Sequence, residues 1–78
     1  MTAIFYNKED KNRFKVLMTL TDREYQCVEL LSQGNTSKSI AKKLNISHRT
    51  VEAHFGNIMH KFRCRNRYDI LKIYFSKQ

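Results

Sequence analysis

Residues 36–62 of this 78-residue chain read TSKSIAKKLNISHRTVEAHFGNIMHKF, and the pattern in them decides the fold. The second half predicts a helix from His48 to Phe62, with Ser47 as its N-cap. The first half predicts a shorter helix capped by Thr36. The apolar side chains that face inward are Ile40, Ala41 and Leu44 on the shorter helix, and Val51, Phe55, Ile58 and Phe62, within roughly 60° of arc, on the longer one. Two helices joined by so tight a connection predict a helix-turn-helix.

Capping signals on both sides of this unit predict one helix before it and one after it. Thr21 followed three residues later by Glu24 is a capping-box sequence, and Gly34 supplies the left-handed residue that ends the resulting helix. Asn66 predicts the N-cap of a fourth helix, which runs to about Ser76 and has apolar residues over a broad arc.

These signals together predict an all-α, four-helix (tetrahelical) helix-turn-helix domain over residues 20–78, with no winged element. The chain contains no proline and only two glycines, so long helices are permitted almost throughout. Residues 1–19 mix apolar and charged side chains without a clean period. We interpret them as an N-terminal linker or a marginal helix.

The net positive charge of the chain lies entirely in its C-terminal part. Residues 1–35 hold five basic and five acidic residues, whereas residues 36–78 hold ten basic and two acidic ones and therefore carry the whole net charge of +8. A surface of this kind attracts a polyanion, either a nucleic acid or an anionic membrane. No apolar run is long enough for a membrane span or a secretory signal, so we expect a soluble cytoplasmic protein.

The outward side of the helix over 48–62 is a candidate surface for reading DNA. If its apolar stripe faces inward, Arg49, Ala53, Gly56 and His60 lie on the opposite side. Ala53 and Gly56 leave the centre of that side flat, so the backbone of the helix can approach another surface closely. The major groove of B-DNA is about as wide as a helix.

Hydroxyl and amine groups at the N-termini of the two central helices suit phosphate oxygens. They belong to Thr36, Lys38, Ser47 and Thr50.

Several fragments, taken in order, resemble the C-terminal DNA-binding domain of LuxR-type (GerE-like or NarL-type) transcriptional regulators, from Leu20 to about Ser76. They are Leu20-Thr21-x-Arg23-Glu24, Leu30-Leu31-x-x-Gly34, Lys38-x-Ile40-Ala41-x-x-Leu44-x-Ile46-Ser47, Arg49-Thr50-Val51-Glu52-x-His54, Asn57-Ile58-x-x-Lys61, and Arg67.

The resemblance implies contacts with double-stranded DNA. Positions matching Glu52, Ala53 and Gly56 enter the major groove in such proteins, and we add Arg49 to this base-reading set. Glu52 could accept a hydrogen bond from a cytosine amino group. The implied phosphate contacts are Thr36, Lys38, Ser47, Thr50 and Lys61. We add Asn57, which lies on the same predicted helix as Lys61.

The resemblance also implies a homodimer through the fourth helix, which brings two reading helices to inverted half-sites about one helical turn apart. Tyr68, Leu71 and Phe75 are the candidate interface residues, and RNA polymerase is a further candidate partner. Two other functions stay open. One is a protein-interaction module that never reads DNA, and the other is a sigma-factor-like promoter-binding module.

Catalysis, metal binding and a cofactor find no support in the sequence. His48, His54 and His60 are six residues apart, so on a helix they point to three different sides and cannot share one ion. Ser47, Thr50 and these histidines do not form a set of nucleophile, base and orienting group on this helix. A role at a membrane surface is disfavoured because no helix combines a basic face with a large exposed apolar one.

Overall fold

The computed structural model describes residues 17–76, which form four helices. They are α1 (Asp22–Ser32), α2 (Ser37–Leu44), α3 (His48–Phe62) and α4 (Arg67–Ser76). No strand occurs within the described range. The predicted all-α four-helix class is therefore confirmed. The interpretation of residues 1–19 as a linker or marginal helix lies outside the described residues, apart from positions 17–19.

The predicted N-caps are present at all four helices, including α4, where Asn66 Oδ1 accepts a hydrogen bond from the Asp69 backbone N–H at 3.1 Å. Thr21 accepts a hydrogen bond from the Glu24 backbone N–H at 3.1 Å, and the Glu24 carboxylate accepts one in return from the Thr21 N–H at 2.9 Å. At the starts of α2 and α3, the Thr36 and Ser47 hydroxyls accept hydrogen bonds from the backbone N–H groups of Ser39 and Thr50. Each cap satisfies an amide that the helix itself leaves unbonded, which explains why the helices begin at these residues.

A residue in the left-handed backbone region follows each of the first three helices. At Gly34, after α1, the sequence predicts this conformation, and its φ is 94°. Asn45 after α2 and Arg63 after α3 adopt the same region, with φ of 56° each. Asparagine tolerates this conformation, but an arginine rarely adopts it. These reversals keep the connections short and fold each helix back onto the preceding one.

Helix α3 lies at the centre of the fold and packs against each of the other three helices. Its stripe of Val51, Phe55, Ile58 and Phe62 is buried, as the spacing predicts. Cys27, Val28, Ile40 and Ile70 complete the core from the surrounding helices. The side of α3 opposite this stripe is thereby presented outward.

A partly buried ion pair joins the beginning of α1 to the end of α3. The Lys61 ammonium donates to Glu24 Oε1 at 2.7 Å and to the Thr19 carbonyl oxygen at 3.1 Å, and the Glu24 side chain is only 5% exposed. Burial by itself would raise the pKa of Glu24, but the hydrogen bonds from Lys61 and from the Thr21 backbone outweigh it and hold that pKa below its ordinary value. The carboxylate therefore stays charged in the folded protein.

Candidate nucleic-acid interface

The outward side of α3 is a flat, accessible surface. Arg49, Ala53, Gly56 and His60 are all exposed, on the side of the helix away from the core. Ala53 and Gly56 occupy the middle of this side, so no long side chain stands above the backbone there. This arrangement agrees with the helical spacing that defined the candidate reading surface.

Gly56 is not required by the packing of the domain. Among residues 17–76, no heavy atom outside its own helix backbone and chain neighbours lies within 4 Å of a Cβ built at this position. Its φ is not in the left-handed region, unlike that of Gly34. The glycine thus keeps the surface flat without any internal reason to do so.

We expect Gly56→Ala to raise the free energy of unfolding by about 1 kcal/mol, the usual difference between glycine and alanine inside a helix. Gly34→Ala is the matched control, and it should lower that free energy because alanine is strained at a φ of 94°. Urea denaturation of the two variants measures both changes. A loss of stability in Gly56→Ala would mean that the fold itself needs this glycine.

The N-termini of α2 and α3 carry hydroxyl groups and no acidic residue in their first turns. By contrast, α1 begins with Asp22 and Glu24, and α4 has Asp69 in its first turn. Among the four helices, α2 and α3 are therefore the two whose N-terminal partial positive charge is not offset by an acidic side chain in the first turn. Such helix ends favour a negatively charged ligand.

The predicted phosphate-contact residues lie mostly at these two helix ends. Thr36, Lys38, Ser47 and Thr50 are exposed, and the Ser47 and Thr50 hydroxyls are 2.8 Å apart. Asn57 is also exposed, but it lies further along α3. The structure therefore brings four of the six predicted phosphate contacts to the N-terminal ends of the helix-turn-helix.

Lys61 stands apart from this group because its ammonium is engaged within the domain. It holds the buried Glu24 carboxylate and the Thr19 carbonyl oxygen, which use two of its three N–H donors. From the sequence, Lys61 is predicted to contact phosphate and has no predicted structural role. Its contact with phosphate stays a prediction, and its role in the fold is an addition from the structure.

Glu52 is turned toward the other helices, not left free beside Ala53. Its carboxylate accepts a hydrogen bond from Arg67, and His48 Nε2 lies 3.5 Å from its second oxygen. A hydrogen bond from the Ser37 hydroxyl is the largest influence on the pKa of Glu52, and with the Arg67 guanidinium it lowers that pKa despite partial burial. A base-reading role for Glu52 would require these contacts to be exchanged.

Arg67 joins three helices, although no role is predicted for it from the sequence. One arm of its guanidinium donates to the Ser37 hydroxyl of α2, and the other donates to Glu52 of α3. The guanidinium carbon lies 4.6 Å from the centre of the Phe55 ring, a cation–π distance. Helical periodicity gives no signal for contacts between such distant positions.

The candidate dimer residues on α4 differ in their accessibility. Tyr68 is 77% exposed and Phe75 is 49% exposed, whereas Leu71 is half-buried. An open groove of about 680 Å³ lies beside Tyr68 and Leu71 and is bounded on its other side by the turn between α1 and α2.

None of the helices in residues 17–76 is long and apolar enough to cross a membrane.

Comparison with known proteins gives a family match over most of the chain. The model for "Bacterial regulatory proteins, luxR family" matches residues 18–74. The transcriptional regulatory protein TdiR of Thauera aromatica is 38% identical over 63 residues, which are 81% of this chain and 28% of that protein. The transcriptional regulatory protein FixJ of Rhizobium meliloti is 41% identical over 59 residues, or 74% of this chain and 29% of FixJ.

The transcriptional activator protein VanR of Vibrio anguillarum is 38% identical over 66 residues, which are 85% of this chain and 26% of VanR. The chain thus spans between a quarter and a third of the length of these three curated relatives. No solved structure matches it with significance.

Proposed function

Because the chain belongs to the luxR family of bacterial regulatory proteins and has the DNA-binding helix-turn-helix domain of that family, we propose that it binds specific promoter sequences as a homodimer. Helix α3 enters the major groove of duplex DNA, and two copies meet inverted half-sites. The protein acts in the cytoplasm, where RNA polymerase is its further partner at the promoter.

The observation that carries this proposal is the combination of a flat, exposed α3 surface with uncompensated helix N-termini beside it. A helix fits the major groove only if its outward residues let the backbone approach the base edges. The N-terminal amides and hydroxyls of α2 and α3 then lie where phosphates flank the groove. Phosphate contacts fix the register, and base contacts supply the sequence preference.

The proposed roles follow from side-chain chemistry. Arg49 can reach guanine or a phosphate, and Ala53 can contact a thymine methyl group. Gly56 allows the close approach of the helix backbone. The proposed phosphate contacts are Thr36, Lys38, Ser47, Thr50 and Asn57, with Lys61 contributing through the donor that its internal contacts leave over.

Dimerisation is proposed through α4, where two aromatic side chains are exposed on a short terminal helix. Tyr68 and Phe75 are large apolar side chains that the packing of the domain leaves exposed to solvent. A two-fold contact through these residues and Leu71 would cover them and would relate two α3 helices by the same axis. An inverted-repeat DNA site is the expected counterpart of that symmetry.

The experiment that tests the proposal is selection from random duplex DNA with the purified chain, with the affinity of the recovered sequences measured against salt. Enrichment of an inverted repeat is the expected result. Enrichment of a single half-site would contradict the dimer, and salt-sensitive binding without any enriched sequence would contradict specific reading by this chain. If no duplex binds, the protein-interaction module takes the place of the proposed function.

Lys38→Ala should weaken binding to every duplex alike and reduce the slope of log affinity against log salt by about one unit, because one phosphate contact is lost. Lys72→Ala on α4 is the matched control, since its side chain is 77% exposed and the substitution removes the same charge. Fluorescence anisotropy over a salt series measures both slopes. Equal slopes for the two variants would remove Lys38 from the phosphate contacts.

A further inference from the structure

Glu52 is the only carboxylate in the sequence of α3, the helix that is proposed to meet DNA. It directly precedes Ala53, at the centre of the outward surface. A carboxylate near phosphates is repelled, and at about 4 Å two like charges cost between about 1 kcal/mol in water and 4 kcal/mol near a protein surface. An unpaired Glu52 would therefore oppose the binding that the rest of this surface favours.

The structure pairs this carboxylate with a guanidinium from another helix. Arg67 begins α4 and donates to Glu52 with one arm while its other arm donates to Ser37. Its planar fork makes both contacts at once, which a lysine cannot do with the same geometry. The Phe55 ring supports the guanidinium from below, with 4.6 Å between the guanidinium carbon and the ring centre.

The other groups near the Glu52 carboxylate do not replace this pairing. His48 Nε2 is 3.5 Å away on the same helix and carries a positive charge only when it is protonated. Ser37 is neutral. Arg67 is therefore the permanent positive charge that faces Glu52, and its 30% exposed side chain lies partly within the domain.

From this geometry we propose that Arg67 is a positioning residue for DNA recognition: it neutralises Glu52 and holds that carboxylate away from the DNA surface of α3. The proposal rests on the proposed function and assigns Arg67 no DNA contact of its own. It also makes the start of α4 part of the recognition unit, because Arg67 fixes α2 and α3 to that helix.

The test asks whether the weaker DNA binding of an Arg67 variant is restored when the negative charge of Glu52 is also removed. Arg67→Gln should weaken binding to a labelled duplex of about 30 base pairs, long enough for two half-sites, by about five- to tenfold at low salt, since it uncovers one negative charge. The duplex carries the sequence recovered by selection. Adding Glu52→Gln to Arg67→Gln should restore the affinity to within about twofold of wild type.

A charge-matched control separates neutralisation at Glu52 from a general gain of positive charge. Asp69→Asn restores the same net charge to Arg67→Gln, but Asp69 lies on α4 and pairs with the exposed Lys72. We expect no rescue from Asp69→Asn. Equal rescue by both second substitutions, or rescue by neither, would overturn the proposal. A persistent defect with a salt slope lowered by one unit would instead identify Arg67 as a phosphate contact.

Two further measurements cover the case in which Arg67→Gln does not fold. Arg67→Lys keeps the charge but cannot hold Ser37 and Glu52 at once, so its affinity should fall by less than the roughly five- to tenfold expected when the charge is lost. A larger loss in a folded Arg67→Lys would count against neutralisation. In the wild-type protein, the pKa of Glu52 followed by carbon-detected NMR should remain below its ordinary value when duplex is bound. A Glu52 pKa above its ordinary value in the complex would count against neutralisation by Arg67.

The outcomes for the two proposals are distinct. If the wild-type chain binds no duplex, the proposed function fails and this inference fails with it. If wild type binds and the double variant is not rescued, only the role of Arg67 is overturned.

Discussion

Lys61→Met is expected to lower the free energy of unfolding by about 3 kcal/mol at neutral pH, a large share of the stability of a domain this small. Methionine keeps the apolar stem of the side chain but leaves the Glu24 carboxylate buried without its cationic partner. Breaking a buried ion pair from one side costs more than the pair contributes, because an uncompensated charge remains. Urea denaturation followed by circular dichroism gives the difference.

The control is Lys72→Met, which removes an exposed lysine that lies 3.6 Å from Asp69. Exposed ion pairs of this kind contribute between about 0 and 1 kcal/mol, so the control should remain close to wild type. A loss in Lys61→Met no larger than that of the control would show that the Glu24 pair does not hold α1 to α3.

The loss of stability in Lys61→Met is expected to become smaller as the pH falls. In the wild type the pKa of Glu24 is lowered by folding, so its contribution to stability is present above the ordinary value of 4.5 and is lost as the pH falls through the lower folded-state value. In Lys61→Met, burial without the lysine raises the pKa of Glu24, and protonation then relieves the buried charge. The stability difference between wild type and Lys61→Met should therefore shrink between pH 7 and pH 4. A difference that is constant over this range would contradict the assignment to Glu24.

Ala53→Glu is expected to reduce duplex affinity by at least about 100-fold at low salt. The new carboxylate would stand at the centre of the outward surface of α3, where it would face base edges and the phosphates on both sides of the groove. It would also pair with Arg49, one turn earlier on the same side, and so compete with DNA for that cation. Ala53 is exposed, so the free energy of unfolding should fall only by the small helix-propensity difference of about 0.4 kcal/mol. Anisotropy titration and urea denaturation separate the two effects.

Gln26→Glu provides the matched control, because it adds the same charge at an exposed position of α1. Its effect on affinity should be within about threefold, as expected for a charge outside the groove and screened by salt. Similar losses in Ala53→Glu and Gln26→Glu would mean that α3 does not enter the groove.

Local signals predicted the helices well because each signal is complete within a few residues. The Thr21 and Glu24 capping box, the buried stripe that includes Phe55, and the positive φ of Gly34 all depend on neighbours along the chain. The predicted limits of α3, from His48 to Phe62, agree with the structure for the same reason. A helix start and a helix face can be recognised without knowledge of the tertiary fold.

The polar contacts between helices could not be predicted in this way. Lys61 is 37 positions from Glu24, and Arg67 is 30 positions from Ser37 and 15 from Glu52. No periodicity relates such positions, and each partner has a plausible local role of its own. The sequence therefore indicated Glu24 only as a capping residue and left Arg67 without a role.

The two sides of α3 have consequences for how this protein can diverge. Val51, Phe55, Ile58 and Phe62 determine whether the domain folds, whereas Arg49, Ala53 and Gly56 are exposed outward. If α3 reads promoter DNA as proposed, substitutions in the second group would change the preferred sequence with little effect on the fold, and single substitutions would give access to new regulatory targets. Glu52 is the exception on this surface, because any change there also alters its partner Arg67 and is constrained to evolve with it.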